Sequence, residues 1–180
     1  LGLAPDKTIL VYSGSTAGWQ SFNLMRNTLL NALLENPNLQ FLLLSQPSLQ
    51  TIDFHKRFPD NFVEKWVKHS EVESYLKASD FGLLIRNEST TNKVAAPVKF
   101  AEYLSAGLNI IISKNIGDAS EFVLNHGCGV VIELDSDIPI LKPASDAEKE
   151  RNVELAKKFF TKPSFNSQYK ICLENLRINK

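Results

Sequence analysis

Thr8–Ser13, with the sequence TILVYS, is a β-branched and aliphatic run that leads into the turn-rich residues 14–18, GSTAG. A short and continuously apolar run of this kind is typical of a parallel strand that is covered by helices on both faces. After this loop, residues 20–35 carry apolar side chains at three- and four-residue spacing until Asn36 and Pro37 interrupt the pattern. That spacing predicts an amphipathic helix. The chain therefore opens with a strand, a loop and a helix.

Apolar runs and helical patterns continue to alternate after this opening. Further strands are predicted at 40–45, 62–67, 81–85, 109–113 and 130–132, and further helices at 70–78, 97–106, 119–125, 146–160 and 166–176. Ser70 and Glu73 have the spacing of a capping box at the start of a helix, and a longer loop is expected before residue 62. Such alternation indicates parallel strands joined by right-handed crossovers. The predicted fold class is α/β, a doubly wound Rossmann-like parallel sheet of about six strands with C-terminal helices.

The composition is that of an ordinary globular protein. The 180 residues are 43% hydrophobic and 22% charged, which suffices for one sizeable core. The 20 basic and 20 acidic residues cancel, and this neutral balance argues against nucleic acid as a partner. No apolar run in the sequence is long enough to span a membrane, and Cys128 and Cys172 lack the spacing of a disulfide framework or a zinc site. A cytoplasmic location is the resulting expectation.

The start of the chain bears on its domain organisation. The sequence begins at Leu1, and its only methionine is Met25. We therefore expect a fragment of a longer protein, in which residues 1–180 form a single domain. The sequence shows no internal repeat, and the proline-containing stretch 135–143 is expected to be an irregular connector within that domain.

The first candidate site is the loop after the first strand, since open α/β sheets bind ligands at the carboxyl ends of their strands. Gly14 and Ser15 begin this loop, which leads into a helix start. Backbone N–H groups and the helix dipole attract phosphate at such a position. We predict that Gly14 and Ser15 bind phosphate. The alternative is that they are ordinary turn residues.

Residues 96–107, APVKFAEYLSAG, carry the most informative pattern. A proline near the start and Gly107 at the end bound a helix of about three turns. Lys99 and Glu102 lie three residues apart near the start of this helix, away from its apolar stripe. A lysine beside a helix N-terminus suits a diphosphate, and a carboxylate one turn deeper suits the hydroxyl groups of a ribose. The alternative is a surface ion pair worth about 0.2–0.5 kcal/mol.

Several segments, in their order and spacing, resemble the C-terminal domain of the large retaining family called glycosyl transferases group 1, which has the GT-B fold. The resemblance lies in residues 11–14, 75–84, 97–104, 107–112, 121–123 and 127–131. It implies the nucleotide-sugar-binding half of a two-domain enzyme whose N-terminal, acceptor-binding domain would precede this chain. It also implies retaining transfer from a nucleotide-diphosphate sugar to a glycan or lipid-linked acceptor in polysaccharide biosynthesis. Any peripheral association with the inner face of the membrane would come through the missing domain.

The resemblance implies roles for individual residues. Glu102 matches the second glutamate of the family's motif of two glutamates separated by seven residues, and that glutamate holds the nucleotide ribose. The loop at 68–71, which includes His69 and Ser70, matches the place where backbone groups hold the base. The first glutamate of the motif contacts the donor sugar in the family, but this sequence has Val94 at that position.

Two departures from the family pattern leave its roles to other residues. Glu88, or the polar run at 89–92 in the same loop, is the candidate for the donor-sugar contact. The family's basic pair after the first strand is replaced by Ser15 and further neutral residues. Lys99 and Arg86 are the candidates to neutralise the leaving diphosphate in its place.

The remaining patterns decide between classes of function. The three histidines lie in different loops, so no metal site is predicted, and the resemblance implies an enzyme without a cofactor. The leading hypothesis is a glycosyltransferase fragment that is inactive without its N-terminal domain. The alternative is a noncatalytic binding or scaffolding domain of the same fold, which Val94 and Ser15 favour. A nucleotide-sugar epimerase half would need acid and base residues that the sequence does not place.

Overall fold

The structure is a computed structural model that describes residues 1–14, 22–93, 98–134, 136–166 and 169–170. The strands are β1 (Thr8–Ser13), β2 (Leu39–Leu44), β3 (Phe62–Lys65), β4 (Phe81–Leu84), β5 (Asn109–Ser113) and β6 (Gly129–Ile132). The helices are α1 (Phe22–Glu35), α2 (Ile52–Arg57), α3 (His69–Lys77), α4 (Thr90–Lys93), α5 (Val98–Ser105), α6 (Gly117–His126) and α7 (Asp146–Phe160). Short 3-10 turns lie at Leu49–Thr51 and Lys162–Phe165. Within these described ranges, no helix is long and apolar enough to cross a membrane.

The six strands form one parallel sheet in the order β3-β2-β1-β4-β5-β6. The chain builds outward from β1 to β3, then returns to the other side of β1 and builds outward again from β4 to β6. The winding therefore reverses between β1 and β4, whose carboxyl ends lie side by side. Such a switch point is where open α/β sheets bind their ligands. The predicted doubly wound fold is confirmed.

Helices cover both faces of the sheet, which explains why its central strands are apolar throughout. In β1, Leu10 and Tyr12 belong to one buried cluster, while Ile9 and Val11 belong to the other. Successive side chains of a strand point to opposite faces, so both sets become buried only when each face is covered. The continuous apolar runs in the sequence reflect this double burial.

The helix that carries Lys99, α5, is held in place by β4 and α7. A Cβ atom on Gly82 of β4 would lie 2.2 Å from Cδ2 of Tyr103, so only a glycine admits the ring here. On the other side of α5, the rings of Phe100 and Phe160 pack with their centroids 5.5 Å apart. Gly107 follows the end of the helix with φ 87°, in the left-handed region that glycine favours. The predicted end of this helix is therefore confirmed.

The predicted capping box at Ser70 and Glu73 is wrong. Ser70 already lies within the first turn of α3, and the backbone N–H that precedes the helix belongs to Lys68. That N–H donates to the Glu71 carboxylate at 2.9 Å. Two glutamates, at positions 71 and 73, are close enough to the helix start to fit a capping pattern, so the local sequence selects the wrong one.

The segment between β2 and β3 is not only a loop, because it contains α2. The Phe54 ring of this helix is completely buried and packs against Phe58 and Phe62, with centroids 6.4 and 5.2 Å apart. A helix of six residues is too short to be stable by itself, so these tertiary contacts stabilise it. Most of the helix predicted at 166–176 lies outside the described residues.

Candidate functional site

The switch point brings three segments of the chain to one edge of the sheet. The end of β1 contributes Tyr12 and Ser13, followed by Gly14. The segment after β4 contributes Arg86, and the first turn of α5 contributes Lys99. These residues come from distant parts of the sequence, and the strand order makes them neighbours.

Arg86 and Lys99 line one small depression, together with Tyr12, Leu84 and Ile85. The Lys99 Nζ atom lies 5.8 Å from the centroid of the Tyr12 ring. The electron-rich face of an aromatic ring attracts a cation, so the Tyr12 ring helps to hold the ammonium group at this edge. The depression is therefore a place where two positive side chains converge.

The electrostatics of the depression are those of a site for an anion. Burial lowers the pKa of Lys99, and the positive charge of Arg86 lowers it further, while the Glu102 carboxylate acts in the opposite direction. Burial also raises the pKa of Tyr12 to about 12, although Arg86 opposes this shift. A bound anion would offset the repulsion between the two cations and would favour the charged form of Lys99.

Arg86 is oriented by hydrogen bonds at its backbone and its side chain. Ser113 Oγ, at the end of β5, accepts from the Arg86 N–H and donates to the Arg86 carbonyl oxygen, each at 2.9 Å. The Arg86 guanidinium donates to Asn92 Oδ1 at 3.4 Å. Asn92 is buried and itself donates to Asn87. A guanidinium has five N–H donors, so this arrangement leaves others for a ligand.

Tyr103 ties the end of β1 to α5. Its ring is completely buried, and Tyr103 Oη accepts a hydrogen bond from the Ser13 N–H at 2.9 Å. Burial raises the pKa of Tyr103 well above its usual range. The next amide, the Gly14 N–H, donates to the Leu44 carbonyl oxygen at 3.0 Å. Both amides thus have partners within the protein, and the predicted contact of Gly14 with a phosphate stays a prediction.

A cleft of about 600 Å³ opens beside the switch point. Its wall comes from the ends of β1 and β2, from the connection that follows β3 and from the first residues of α3. The lining residues are Ser13, Gly14, Leu44, Trp66, Val67, Lys68, His69, Glu71 and Val72. The first N–H groups of a helix such as α3 have no partners within the helix. A mostly apolar cleft of this size with a few polar groups suits an organic ligand.

Glu88, in the loop after β4, is exposed and ionised. Lys93 Nζ lies 2.6 Å from its carboxylate, and the Asn115 side chain donates to the same oxygen at 3.4 Å. The hydrogen bond from Lys93 lowers the pKa of Glu88. Glu88 also lines a second pocket, of about 240 Å³, with Lys114, Asn115 and Glu133. An ionised carboxylate accepts hydrogen bonds from hydroxyl groups, and the predicted contact of Glu88 with a sugar stays a prediction.

The structure brings several of the predicted site residues together. Arg86 and Lys99 share the depression at the switch point, and Glu102 is exposed on α5, one turn after Lys99. Gly14 and His69 line the same cleft. In the described part of the chain, no group of three or more His, Cys, Asp and Glu residues could hold a metal ion.

Other predicted residues are not part of these two surfaces. Ser70 lies in the first turn of α3 but does not line the cleft. Ser15 and Val94 lie outside the described residues, so the roles proposed for them stay predictions. Sequence reasoning missed Trp66 and the orienting role of Asn92. Trp66 lies inside the strand predicted at 62–67, but β3 ends at Lys65 and leaves Trp66 in the connection at the cleft. Asn92 sits in a polar run, so neither residue carried a sequence signal for its place.

A doubly wound sheet of this strand order is the architecture of the C-terminal domain of a GT-B glycosyltransferase. The chain belongs to the family of glucosyltransferase 3-like C-terminal domains, whose sequence profile matches residues 23–168. No curated protein matches the sequence.

Solved structures share this fold at low sequence identity. HepE from Anabaena in complex with UDP has a TM-score of 0.65 and 12% identity, with 94% of this chain and 49% of HepE covered. The HepE complex with UDP-glucose has a TM-score of 0.62, 14% identity and the same coverage. The C-terminal domain of LpcC, a glycosyl transferase group 1 family protein from Francisella tularensis, has a TM-score of 0.52 and 13% identity, with 89% of this chain and 79% of that chain covered. The chain thus spans about half the length of HepE.

Proposed function

We propose that this domain binds a nucleotide-diphosphate sugar along the carboxyl edge of its sheet and presents the sugar for glycosyl transfer. The observation that carries the proposal is the convergence of Arg86 and Lys99 beside Tyr12 at the switch point. Membership of a glucosyltransferase domain family supports it, as do the UDP and UDP-glucose complexes of the similarly folded HepE.

The diphosphate is assigned to the sheet edge over the mouth of the depression that Arg86 and Lys99 line, because the depression itself, at about 10 Å³, has room for about one water molecule. Hydrogen bonds between a cationic donor and a phosphate oxygen are about twice as strong as those between neutral groups. When the bond between sugar and phosphate breaks, further negative charge builds up on the leaving diphosphate. Positive groups that are already in position stabilise this charge without having to reorganise. Arg86 and Lys99 would therefore contribute to binding and to the departure of the leaving group.

The base, the ribose and the sugar of the donor are assigned to the surfaces on either side of this depression. Ser13 and Gly14, at the end of β1, line the cleft, and Tyr12, directly before them in the chain, lines the depression. One ligand can therefore extend from the depression into the cleft. The base is placed in the cleft, near the backbone at His69, and Glu102 accepts hydrogen bonds from the ribose hydroxyls. Glu88, on the opposite side of the switch point, is the candidate contact for the sugar. The donor would thus lie across the sheet edge from β3 towards β5.

Transfer of the sugar requires a second domain in this proposal. The chain covers 49% of HepE, and an acceptor has to be held opposite the donor site. We therefore assign residues 1–180 to the donor-binding half of a two-domain enzyme that transfers the sugar with retention to a glycan or lipid-linked acceptor in polysaccharide biosynthesis. Cytoplasmic location, with membrane association through the acceptor domain, belongs to the same proposal. The domain alone is expected to bind the donor but not to turn it over.

A noncatalytic binding domain of the same fold is the second candidate. The ion pair between Glu88 and Lys93, at 2.6 Å, favours it, because the candidate sugar contact already has a partner in the protein. The sequence also has a valine at position 94, where the family's sugar-contacting glutamate is expected. Both candidates predict an open carboxyl edge, but a domain that has lost its donor function is not expected to bind nucleotides selectively.

Calorimetric titration of the protein with UDP, GDP, ADP and CMP tests the proposed function. We expect selective binding of one nucleoside diphosphate, because a single cleft geometry fits one base best. The Glu102→Ala variant is expected to bind that nucleotide about 1–3 kcal/mol more weakly, since it loses charge-assisted hydrogen bonds to the ribose. Absence of nucleotide binding at millimolar concentration would contradict the proposal, and unchanged affinity of the variant would remove Glu102 from the site.

Nucleotide affinity is also expected to decrease with rising pH. The decrease should begin at a lower pH than it would for a lysine with the ordinary pKa of 10.5. The lowered pKa of Lys99 means that its ammonium group loses its proton, and with it the attraction for phosphate, at a lower pH. Tyr12 stays neutral over this range, because its pKa is raised to about 12. The measurement is the dissociation constant of the bound nucleotide between about pH 7 and pH 10. The Lys99→Ala variant should show a weaker pH dependence, and an identical profile would exclude Lys99 as the titrating group.

A further inference from the structure

Trp66 stands at the rim of the 600 Å³ cleft, in the connection between β3 and α3. Its side chain is 70% exposed, although the cleft wall around it includes the apolar residues Leu44, Val67 and Val72. A single exposed apolar side chain is ordinary on a protein surface. A tryptophan that lines a concave wall is a different case, because it presents a large rigid aromatic face to whatever enters the cleft.

The backbone on both sides of Trp66 is anchored. Before it, the Lys65 carbonyl oxygen accepts a hydrogen bond from the Ser45 N–H at 3.1 Å, which continues the pairing of β3 with β2. After it, the Lys68 N–H donates to the Glu71 carboxylate at 2.9 Å. The two residues between these fixed points, Trp66 and Val67, have little freedom to move away. The backbone that carries the indole is therefore held beside the cleft before a ligand binds.

The charges of the two surfaces separate the phosphate from the rest of a ligand. The repelling cations Arg86 and Lys99 line the depression, whereas on the cleft wall the charge of Lys68 is balanced by that of the Glu71 carboxylate. A phosphate is therefore favoured in the depression, and a neutral planar group is favoured beside Trp66. A nucleobase is such a group, and its ribose links it to the diphosphate.

We infer that Trp66 is the stacking platform for the nucleobase and the residue that sets how much of the binding affinity comes from the base. This inference rests on the proposed function. Every base has a π-face, so stacking strengthens the binding of all nucleotides, and selection among bases is left to the polar groups at the start of α3. Trp66 acts on the base alone, whereas Lys99 acts on the phosphates alone.

The test compares UDP with inorganic pyrophosphate, which has the phosphates but no base, by calorimetry. Trp66→Ala is expected to weaken UDP binding by about 5- to 150-fold, the range for loss of one base–aromatic stack, and to leave pyrophosphate binding unchanged. Trp66→Phe keeps a smaller ring, so its affinity for UDP should lie between those of the unmodified protein and of the Trp66→Ala variant. Ile140→Ala is the matched control, because Ile140 is a 77% exposed apolar residue that does not line the cleft. This control should bind both ligands like the unmodified protein.

Each outcome separates the inference from the proposed function. UDP binding that is unchanged in Trp66→Ala would overturn the inference and leave the proposed function in place. An equal loss of UDP and pyrophosphate binding would also overturn it, since Trp66 would then act on the fold of the whole edge. If the unmodified protein binds neither pyrophosphate nor any of UDP, GDP and ADP, the proposed function fails, and the inference fails with it.

Discussion

A Gly82→Ala variant is expected to lose about 3 kcal/mol of unfolding free energy, which corresponds to a fall in melting temperature of about 6–12 °C. The new Cβ atom would lie 2.2 Å from Cδ2 and 2.5 Å from Cγ of Tyr103. The ring cannot move aside easily, because it is completely buried and its hydroxyl oxygen accepts a hydrogen bond from the Ser13 N–H. Overpacking in a core typically costs about 1–3 kcal/mol, and so short a contact belongs at the upper end.

Gly127→Ala is the matched control for this prediction. It adds the same methyl group, but nothing lies within 4 Å of the new Cβ atom. Its cost comes from the backbone alone, since Gly127 has φ 58°, and amounts to about 1–2 kcal/mol. Thermal and denaturant unfolding of both variants measure the difference. Equal melting temperatures would contradict the close packing of Gly82 against Tyr103.

The Arg86→Ala/Lys99→Ala double variant is expected to bind nucleoside diphosphates at least about 100-fold more weakly. Hydrogen bonds to charged groups contribute about 1.5–3 kcal/mol each, so the loss of two gives a factor of this size or more. The unfolding free energy should change much less, because removal of two cations that repel each other relieves part of the electrostatic cost of placing them together. Calorimetry for binding and thermal unfolding for stability measure the two effects separately.

The control for the double variant removes the same net charge elsewhere. Lys77→Ala/Lys157→Ala takes away two lysines that are mostly exposed and form ion pairs within their own helices. Affinity should then change little, because solvent and salt screen exposed charges. If this control loses as much affinity as the Arg86 and Lys99 variant, the effect is one of overall charge. Full affinity in the Arg86 and Lys99 variant would place the diphosphate elsewhere.

Much of the fold could be predicted from the sequence, because the signals are local. The buried runs at Thr8–Ser13 and Asn109–Ser113 have the same bounds in the structure as in the prediction. The helix at Asp146–Phe160 also matches, since Ser145 and Glu148 form a capping box at its start. Errors arose where local patterns are ambiguous or too short, as at the start of α3 and in α2.

The candidate site could be predicted only in part. The helical period predicts that Lys99 and Glu102 lie one turn apart on the same helix. The position of Gly14 at the carboxyl edge could also be predicted, because Gly14 comes directly after a predicted strand. Nothing in the sequence around Trp66 shows that it borders the same cleft as Gly14. Nor does the polar run that contains Asn92 show that this residue turns inward to orient a guanidinium.

Local sequence patterns suffice to predict the α/β class, the order of strands and helices along the chain and a lysine in the first turn of α5. Those features depend on residues that are neighbours in the chain. That Arg86 and Lys99 share a depression with Tyr12, and that Tyr103 accepts a hydrogen bond from the end of β1, follows from the tertiary structure alone. Strand order and the helical crossovers bring these segments together, and both depend on packing between residues that are far apart in the chain rather than on any local pattern.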